Sequence, residues 1–369
     1  MVKKHIEEIQ LALSKRQESS AIILTSEQNR RYMTNISTTS GYIIITPENK
    51  YFFTDSRYIE MAKKAAGEFY TVELYPNKQE AKNYYSKILK KENIKNILFE
   101  ENYIYFKTKK QFDDLFGGFE LHESGNLIEN MRKIKDDTEI ENIIKAQNIT
   151  DKAFDYILKV INSDLKTIKE TDIAAELEYF MKKSGAEKAS FDIIAVSGKK
   201  SSYPHGKPEP KKLSKGFLVM DFGAVYNGYC SDMTRTVCIG KPSKKMLEVY
   251  DIVKSAQIAA LEAVKAGIEG VNIDKIARGI IKSAGYDKNF GHGLGHSLGL
   301  EIHENPSIPF SENSEAEQAK MILEENTVIT IEPGIYIENE FGVRIEDLVV
   351  IKKGGCLNLT KSKKDFIEI

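Results

Sequence analysis

Asp221-Phe222-Gly223-Ala224-Val225-Tyr226-Asn227-Gly228-Tyr229-Cys230-Ser231-Asp232 reads as two strands folded about a two-residue turn. Asn-Gly supplies the left-handed backbone that a tight hairpin needs. With the turn at Asn227-Gly228, Tyr226 pairs with Tyr229 and Gly223 with Asp232. Asp221 lies two residues from Gly223 and so faces the same side. It becomes the diagonal neighbour of Asp232, with Cα atoms about 7–8 Å apart. Two carboxylates at that separation can reach one cation. The glycine opposite Asp232 is expected to leave room for a ligand. Phe217-Leu218-Val219-Met220 ahead of Asp221 reads as buried, and an acid ending a buried strand needs a partner.

Further acids and histidines follow in the same half of the chain. Thr327 to Glu332 is a β-branched strand stopped by Pro333-Gly334, and Val343 to Ile351 is another strand-like run. Arg344 and Glu346 are two apart, so the period places them on one face as neighbours or counter-charges. Of six histidines, His205, His292, His296 and His303 lie in this half, and the last three fall within twelve residues, Gly291-His292-Gly293-Leu294-Gly295-His296-Ser297-Leu298-Gly299-Leu300-Glu301-Ile302-His303. These glycines make no phosphate loop, because no lysine and Ser/Thr follow them. Four carboxylates and one to three imidazoles suit Mn²⁺, Co²⁺ or Zn²⁺ better than a thiolate site. Four acids overload a single divalent cation but balance two, which points to a two-metal hydrolytic site.

Around this region the chain divides. Strands at Ala21–Leu24, Tyr42–Thr46, Tyr51–Thr54 and Ile97–Phe99 alternate with helices at Asp55–Ala66 and Gln79–Leu89, which predicts a small α/β domain over residues 1–125. Residues 126–369 read as an α+β domain. Its helices begin with a long amphipathic one capped by Thr138 and Glu141, and continue over about 172–183, 243–264 and 273–283. Strand-like runs cover 193–196, 217–221, 229–237, 328–332 and 343–351. The 369 residues are 41% hydrophobic and 29% charged, which is globular composition. With 53 basic against 54 acidic residues, the net charge of -1 argues against wholesale binding to nucleic acid or to anionic membranes. No apolar run reaches the ~18 residues of a membrane span, and no signal peptide is visible at the start. The three cysteines have no metal-finger spacing and fit a reducing cytoplasm. Cys230 shares a strand face with Asp232 in the hairpin register.

The ordered set resembles the pita-bread metallopeptidases, and within them the proline-specific branch of aminopeptidase P and prolidase. The matching stretches are Leu218 to Gly223, Ser231-Asp232-Met233-Thr234-Arg235-Thr236, Gly291 to Glu304, Ile331-Glu332-Pro333-Gly334-Ile335-Tyr336 and Gly342 to Asp347. Ser202 to Gly206, Tyr32-Met33-Thr34 and Thr54 to Tyr58 extend the likeness over nearly the whole chain.

The resemblance implies an α/β creatinase-like domain followed by a pita-bread catalytic domain. It implies that Asp221, Asp232, His296, Glu332 and Glu346 hold two divalent metal ions, Mn²⁺ first. Asp232 and Glu346 would bridge them, Asp221 would bind one, and His296 and Glu332 the other. A bridging hydroxide would attack the scissile carbonyl, with Glu332 as proton shuttle. His205 and His303 would hold substrate and the tetrahedral intermediate, His292 would help form the proline pocket, and Arg344 would steady Glu346 and close the substrate end. The implied reaction is removal of the first residue from peptides with proline second. Strict cleavage of Xaa-Pro dipeptides is the alternative, and a non-catalytic binding protein a remote one. A homodimer is the family-level expectation. Leu294 and Ser297 depart from the family, which carries Ser/Thr and glycine at those places.

Overall fold

The computed structural model describes residues 2–308 and 321–369. It divides into two compact units, Met1–Arg132 and Lys133–Ile369. The helix that follows the expected seam at 125/126, Leu127–Lys133, falls almost wholly in the first unit.

In the first unit the chain runs α1 (Val2–Ser14), β1 (Ser20–Leu24), α2 (Glu27–Thr34), β2 (Tyr42–Ile45), β3 (Lys50–Thr54), α3 (Ile59–Ala66), β4 (Thr71–Leu74), α4 (Ala81–Lys91), β5 (Asn96–Phe99), α5 (Phe106–Leu115), β6 (Glu120–Glu123) and α6 (Leu127–Lys133). The strands form one six-stranded sheet in the order β4-β3-β2-β1-β5-β6. Pairs β1/β5, β5/β6 and β3/β4 are parallel, and β1/β2 and β2/β3 are antiparallel. Its centre is apolar: every residue of β1 is buried, as are Ile43 to Ile45 and Phe52 to Thr54. Strands β4 and β6 are edge strands with half-exposed, acid-bearing sequences, and they carry no alternation that a sequence reading can catch. The helix expected from Asp55 starts only at Ile59, after a turn in which Asp55 holds the backbone N–H of Arg57 at 2.9 Å.

The second unit starts with α7 (Asp137–Asp164) and α8 (Glu170–Lys183). Strands β7 (Lys188–Ala189), β8 (Ile194–Ser197), β9 (Gly216–Phe222), β10 (Ala224–Tyr226), β11 (Tyr229–Cys230) and β12 (Met233–Ile239) come next. Helices α9 (Lys244–Ala263) and α10 (Gly270–Ser283) precede β13 (Gly295–Ser297), β14 (Glu304–Ile308), β15 (Val328–Ile331), β16 (Gly334–Ile337), β17 (Phe341–Arg344), β18 (Asp347–Lys352) and β19 (Gly355–Asn358). The cap of α7 is two residues earlier than expected. Asp136 accepts from Glu139 N at 2.9 Å while Glu139 accepts from Asp136 N at 2.8 Å, so Thr138 and Glu141 lie inside the helix. Aspartate at the N-cap wins because both reciprocal bonds close there.

Residues of α7 and α8 pack on β8, β9 and β12 in one apolar core. Residues of α9 and α10 pack on strands from β15 to β19 in another. No described helix is long and apolar enough to cross a membrane.

The hairpin forms in the expected register, with Tyr226 opposite Tyr229, Val225 opposite Cys230, Phe222 opposite Met233 and Asp221 opposite Thr234. Asn227 and Gly228 take φ of 47° and 83° at its turn. Two long strands expected from sequence are interrupted, however. The run from Tyr229 breaks at Ser231-Asp232, where the chain leaves the sheet of β10 for that of β9. The run from Val343 breaks at Ile345-Glu346, where it leaves β16 for β15 and β19. The space at Gly223 is also not a ligand's. A Cβ there would lie 1.9 Å from the Ser231 carbonyl oxygen, so glycine allows the two strands to approach.

Candidate metal centre

Strand partner changes set the site. Asp232 sits between β11 and β12, Glu346 between β17 and β18, and Glu332 just beyond β15. Asp221 lies near the end of β9 and His296 in the middle of β13. At each break the ladder is interrupted, and the side chain turns into a shared cleft. Every residue singled out from the sequence, His205, Asp221, Asp232, His292, His296, His303, Glu332, Arg344 and Glu346, lines one cavity of about 1220 Å³.

At the centre, ligand atoms of Asp232, His296 and Glu346 all lie within 4.8 Å of one another. His296 Nε2 stands 3.5 Å from Asp232 Oδ2 and 3.7 Å from Glu332 Oε1. Its Nδ1 is 3.1 Å from the Ser297 carbonyl oxygen. A proton on Nδ1 satisfies that carbonyl and leaves Nε2 as the free lone pair facing the acids. The backbone N–H of His296 donates to Thr330 Oγ1 at 3.0 Å, and that hydroxyl donates to Glu332 Oε1 at 3.3 Å. Glu346 Oε2 accepts from Thr234 Oγ1 at 2.7 Å.

The remaining oxygens are the telling ones. Among the described residues, Asp221 Oδ1, Asp232 Oδ1 and Glu346 Oε1 are buried with no hydrogen-bond partner. Buried polar atoms are rarely left so. Burial, then the neighbouring Asp221, pushes the Asp232 carboxyl well above the usual range. Burial, then Asp232, does the same to Glu346. Burial raises Glu332 as well. Acids that repel one another, with orphaned oxygens and one imidazole nitrogen, form a donor set for hard or borderline divalent cations.

Arg344 does not pair with Glu346 as the two-residue spacing suggested. The bend at Ile345-Glu346 separates their directions, and the Arg344 guanidinium forms an ion pair with Asp221 Oδ2 instead. Its Nε donates to Thr234 Oγ1 at 3.0 Å, and its Nη1 donates to Tyr336 Oη at 2.7 Å and to the Pro204 carbonyl at 3.2 Å. Arg344 therefore shares the Thr234 hydroxyl with Glu346 and acts on that carboxylate by its charge rather than by a direct ion pair, while fixing the loop that leads into His205. Burial works against its charge, but Tyr336, Asp221, Glu332 and Glu346 outweigh that and hold its pKa up.

Among the histidines, His292 is pushed down to about 4 by burial and by Arg344. Its Nδ1 lies 2.8 Å from the Gly293 carbonyl and its Nε2 lies 3.1 Å from Tyr336 Oη. His303 is lowered by burial and then by His296. Both are neutral imidazoles near pH 7. Cys230 is buried in an apolar cluster with Ile140, Leu298 and Val328, and burial raises its thiol to about 12, so it is an inert core group.

Thr234, Thr330, Tyr336 and Arg235 received no role from sequence reasoning. Thr234 had a signal, since it lies two residues from Asp232 in the run that reads as one strand. Arg235 points the other way. Its Nη1 donates to the Glu346 carbonyl at 2.6 Å and its Nη2 pairs with Asp347 at 2.8 Å.

Helix α10 fixes the His292 segment. Arg278 donates to the carbonyls of Phe290 at 2.7 Å and His292 at 2.8 Å while Asp274 takes two more of its N–H groups at 2.9 and 2.8 Å. Asp274 is fully buried. Arg278→Met leaves that carboxylate without its counter-charge and is expected to cost about 3–5 kcal/mol in urea unfolding. A cost below 1 kcal/mol would show that the pair holds nothing.

Residues 141–353 match the family described as Metallopeptidase family M24, and residues 6–134 match the Creatinase/Prolidase N-terminal domain. The chain is 38% identical to the Xaa-Pro dipeptidase of Pyrococcus horikoshii over 351 residues, 94% of each protein. Among solved structures it is similar to the Xaa-Pro dipeptidase from Bacillus anthracis, with 37% identity, a TM-score of 0.92 and all of both chains covered. It is also similar to the X-Pro aminopeptidase from Thermotoga maritima, with 36% identity, a TM-score of 0.86, and 95% of this chain and 98% of that one covered.

Proposed function

The chain belongs to metallopeptidase family M24, a peptide hydrolase of the pita-bread fold with a creatinase/prolidase N-terminal domain, and from that we propose that it removes the first residue from peptides whose second residue is proline. The observation that carries the chemistry is the set of orphaned carboxylate oxygens around His296. Asp232 and Glu346 are assigned as ligands shared by two divalent cations, Asp221 as a further ligand of one, and His296 and Glu332 of the other. When bound, the cations supply a polarised carbonyl and a water acidified enough to attack near neutral pH. Mn²⁺ is the first candidate, with Co²⁺ and Zn²⁺ behind it.

The chain's own groups divide the remaining work. Glu332, 3.7 Å from His296 Nε2 at the centre of the cleft, is assigned to take the attacking water's proton and return it to the departing proline nitrogen. His303, neutral and beside His296, donates an N–H to the carbonyl oxygen as negative charge grows there. His205 holds the substrate from the opposite loop. His292, kept neutral and braced by Tyr336, walls the proline ring. Arg344 fixes Asp221 and the entry to His205, so it orients the site.

A strict Xaa-Pro dipeptidase is the second reading, favoured by the names of the Pyrococcus and Bacillus relatives. Hydrolysis of a matched Xaa-Pro dipeptide and Xaa-Pro-Xaa tripeptide by Mn²⁺-loaded protein separates the two. A preference for the tripeptide is the expected result. Cleavage of the dipeptide alone assigns a dipeptidase, and hydrolysis of neither returns the chain to a binding role. A homodimer belongs to the same proposal, to be read from sedimentation. So does a cytoplasmic setting, which suits three cysteines in no disulfide.

A further inference from the structure

We propose that Lys135, a residue outside the cavity, is a positioning residue that fixes His296 and His303 relative to each other. This rests on the roles assigned above to those two histidines. Lys135 lies on the segment leading into α7, and its side chain is only 1% exposed. An ammonium is kept in such a place only where partners satisfy it. Its Nζ meets Glu304 Oε2 at 3.2 Å, Ser297 Oγ at 3.3 Å and the Lys133 carbonyl at 3.4 Å.

Two of these partners adjoin the functional histidines. Ser297 follows His296, and Glu304 follows His303. They face each other across the β13/β14 pair, immediately after a bulge between His296 and Ser297. One ammonium therefore ties together both ends of the loop between β13 and β14, with His296 just before it and His303 at its close. Glu304 tightens the same loop from within: its Oε1 accepts the Glu301 N–H at 3.0 Å. Its carboxylate also fills the space beside Gly299, where a Cβ would come within 2.7 Å of Oε2. The product of this clamp is the edge-on contact of the His296 and His303 rings, with centroids 4.4 Å apart at 69°. The Ser297 hydroxyl supplies Lys135 with a buried acceptor at 3.3 Å.

A loop with one end released can shift its imidazole by about 1 Å, and such a displacement costs about 10²-fold in turnover. Outer-shell partners of metal ligands change metal affinity by roughly 10–100-fold. The test compares the parent protein with Lys135→Met and Lys135→Arg. Mn²⁺ is titrated calorimetrically into the metal-free proteins, and kcat and KM on an Xaa-Pro peptide are measured per folded molecule, below each melting temperature. Lys135→Met is expected to lower kcat about 10–100-fold at nearly constant KM and to weaken Mn²⁺ binding about tenfold, with Lys135→Arg recovering part of both. If Lys135→Met does not fold, the double variant Lys135→Met/Glu304→Met removes both buried charges and decides. A folded double variant with the same losses upholds the clamp. Parental kcat and parental Mn²⁺ affinity in either folded Met variant overturn it. A parent that hydrolyses no Xaa-Pro peptide defeats the proposed function instead. The Mn²⁺ titration then judges Lys135 alone, with a tenfold loss upholding the clamp and unchanged affinity overturning it.

Discussion

Asp232→Asn is expected to abolish the proposed Xaa-Pro hydrolysis, by at least about 10³-fold in kcat/KM, while the metal-free protein melts no lower than its parent. A factor of 10³ is about 4 kcal/mol of transition-state stabilisation. Losing one preorganised electrostatic group costs about 10²–10³-fold elsewhere, and Asp232 is assigned to both cations at once. Without metal its charge is a liability. Burial and the nearby Asp221 and Glu332 all oppose ionisation, and Oδ1 has no partner. The amide keeps the shape and removes the charge. Glu346→Gln extends the test, because an amide oxygen still accepts from Thr234, whose Oγ1 lies 2.7 Å from Glu346 Oε2. Parental turnover in either variant would sink the shared-ligand assignment. A fall of more than ~5 °C in the metal-free melting temperature of both would make these acids parts of the fold rather than of the chemistry.

The pair Asp221 and Asp232 was legible because its information is local. One Asn-Gly turn sets the register, and that register is kept on both sides of the break at Ser231-Asp232, with Val225 opposite Cys230 and Asp221 opposite Thr234. The histidine segment was legible from composition. Arg344 was misread because period two holds only while a strand continues, and here the chain bends at Ile345-Glu346 to change sheets. Its true partner, Asp221, is 123 residues away. Changes of strand partner depend on how sheets pack, and no window of sequence reports them. Helix α1 was not among the expected elements, although Ile6, Ile9 and Leu13 bury one face at helical spacing.

Metal-free protein is expected to lose stability as the pH is raised above about 6.5, and a divalent cation is expected to reverse the loss by an amount that grows with pH. The sign follows from the folded-state shifts. Carboxyls in the unfolded chain titrate near 4. Asp232, Glu332 and Glu346 resist ionisation when folded, chiefly through burial. Their contribution is intact below the unfolded value and drains away as the pH climbs through the raised folded values. The histidines act the other way. His292 falls to about 4 and His303 is lowered when folded, so their contribution is present above about 6.5 and is lost on acidification. The two effects oppose one another between about pH 4 and 6.5; above that the histidines add nothing further, and the slope is set by the raised carboxyls, with Glu139, pushed up to about 7 by burial, among them. A cation at a hundred times its Kd adds about 2.7 kcal/mol per site, or about 5–10 °C in a unit of this size. Protons compete for the same oxygens, so that gain shrinks on acidification. Melting curves from pH 5 to 8.5, with and without Mn²⁺, test both halves, and Asp232→Asn should flatten the metal-free slope. A metal-free melting temperature that climbs above pH 6.5, or a Mn²⁺ shift indifferent to pH, would mean that the buried acids are neutralised by something other than a cation.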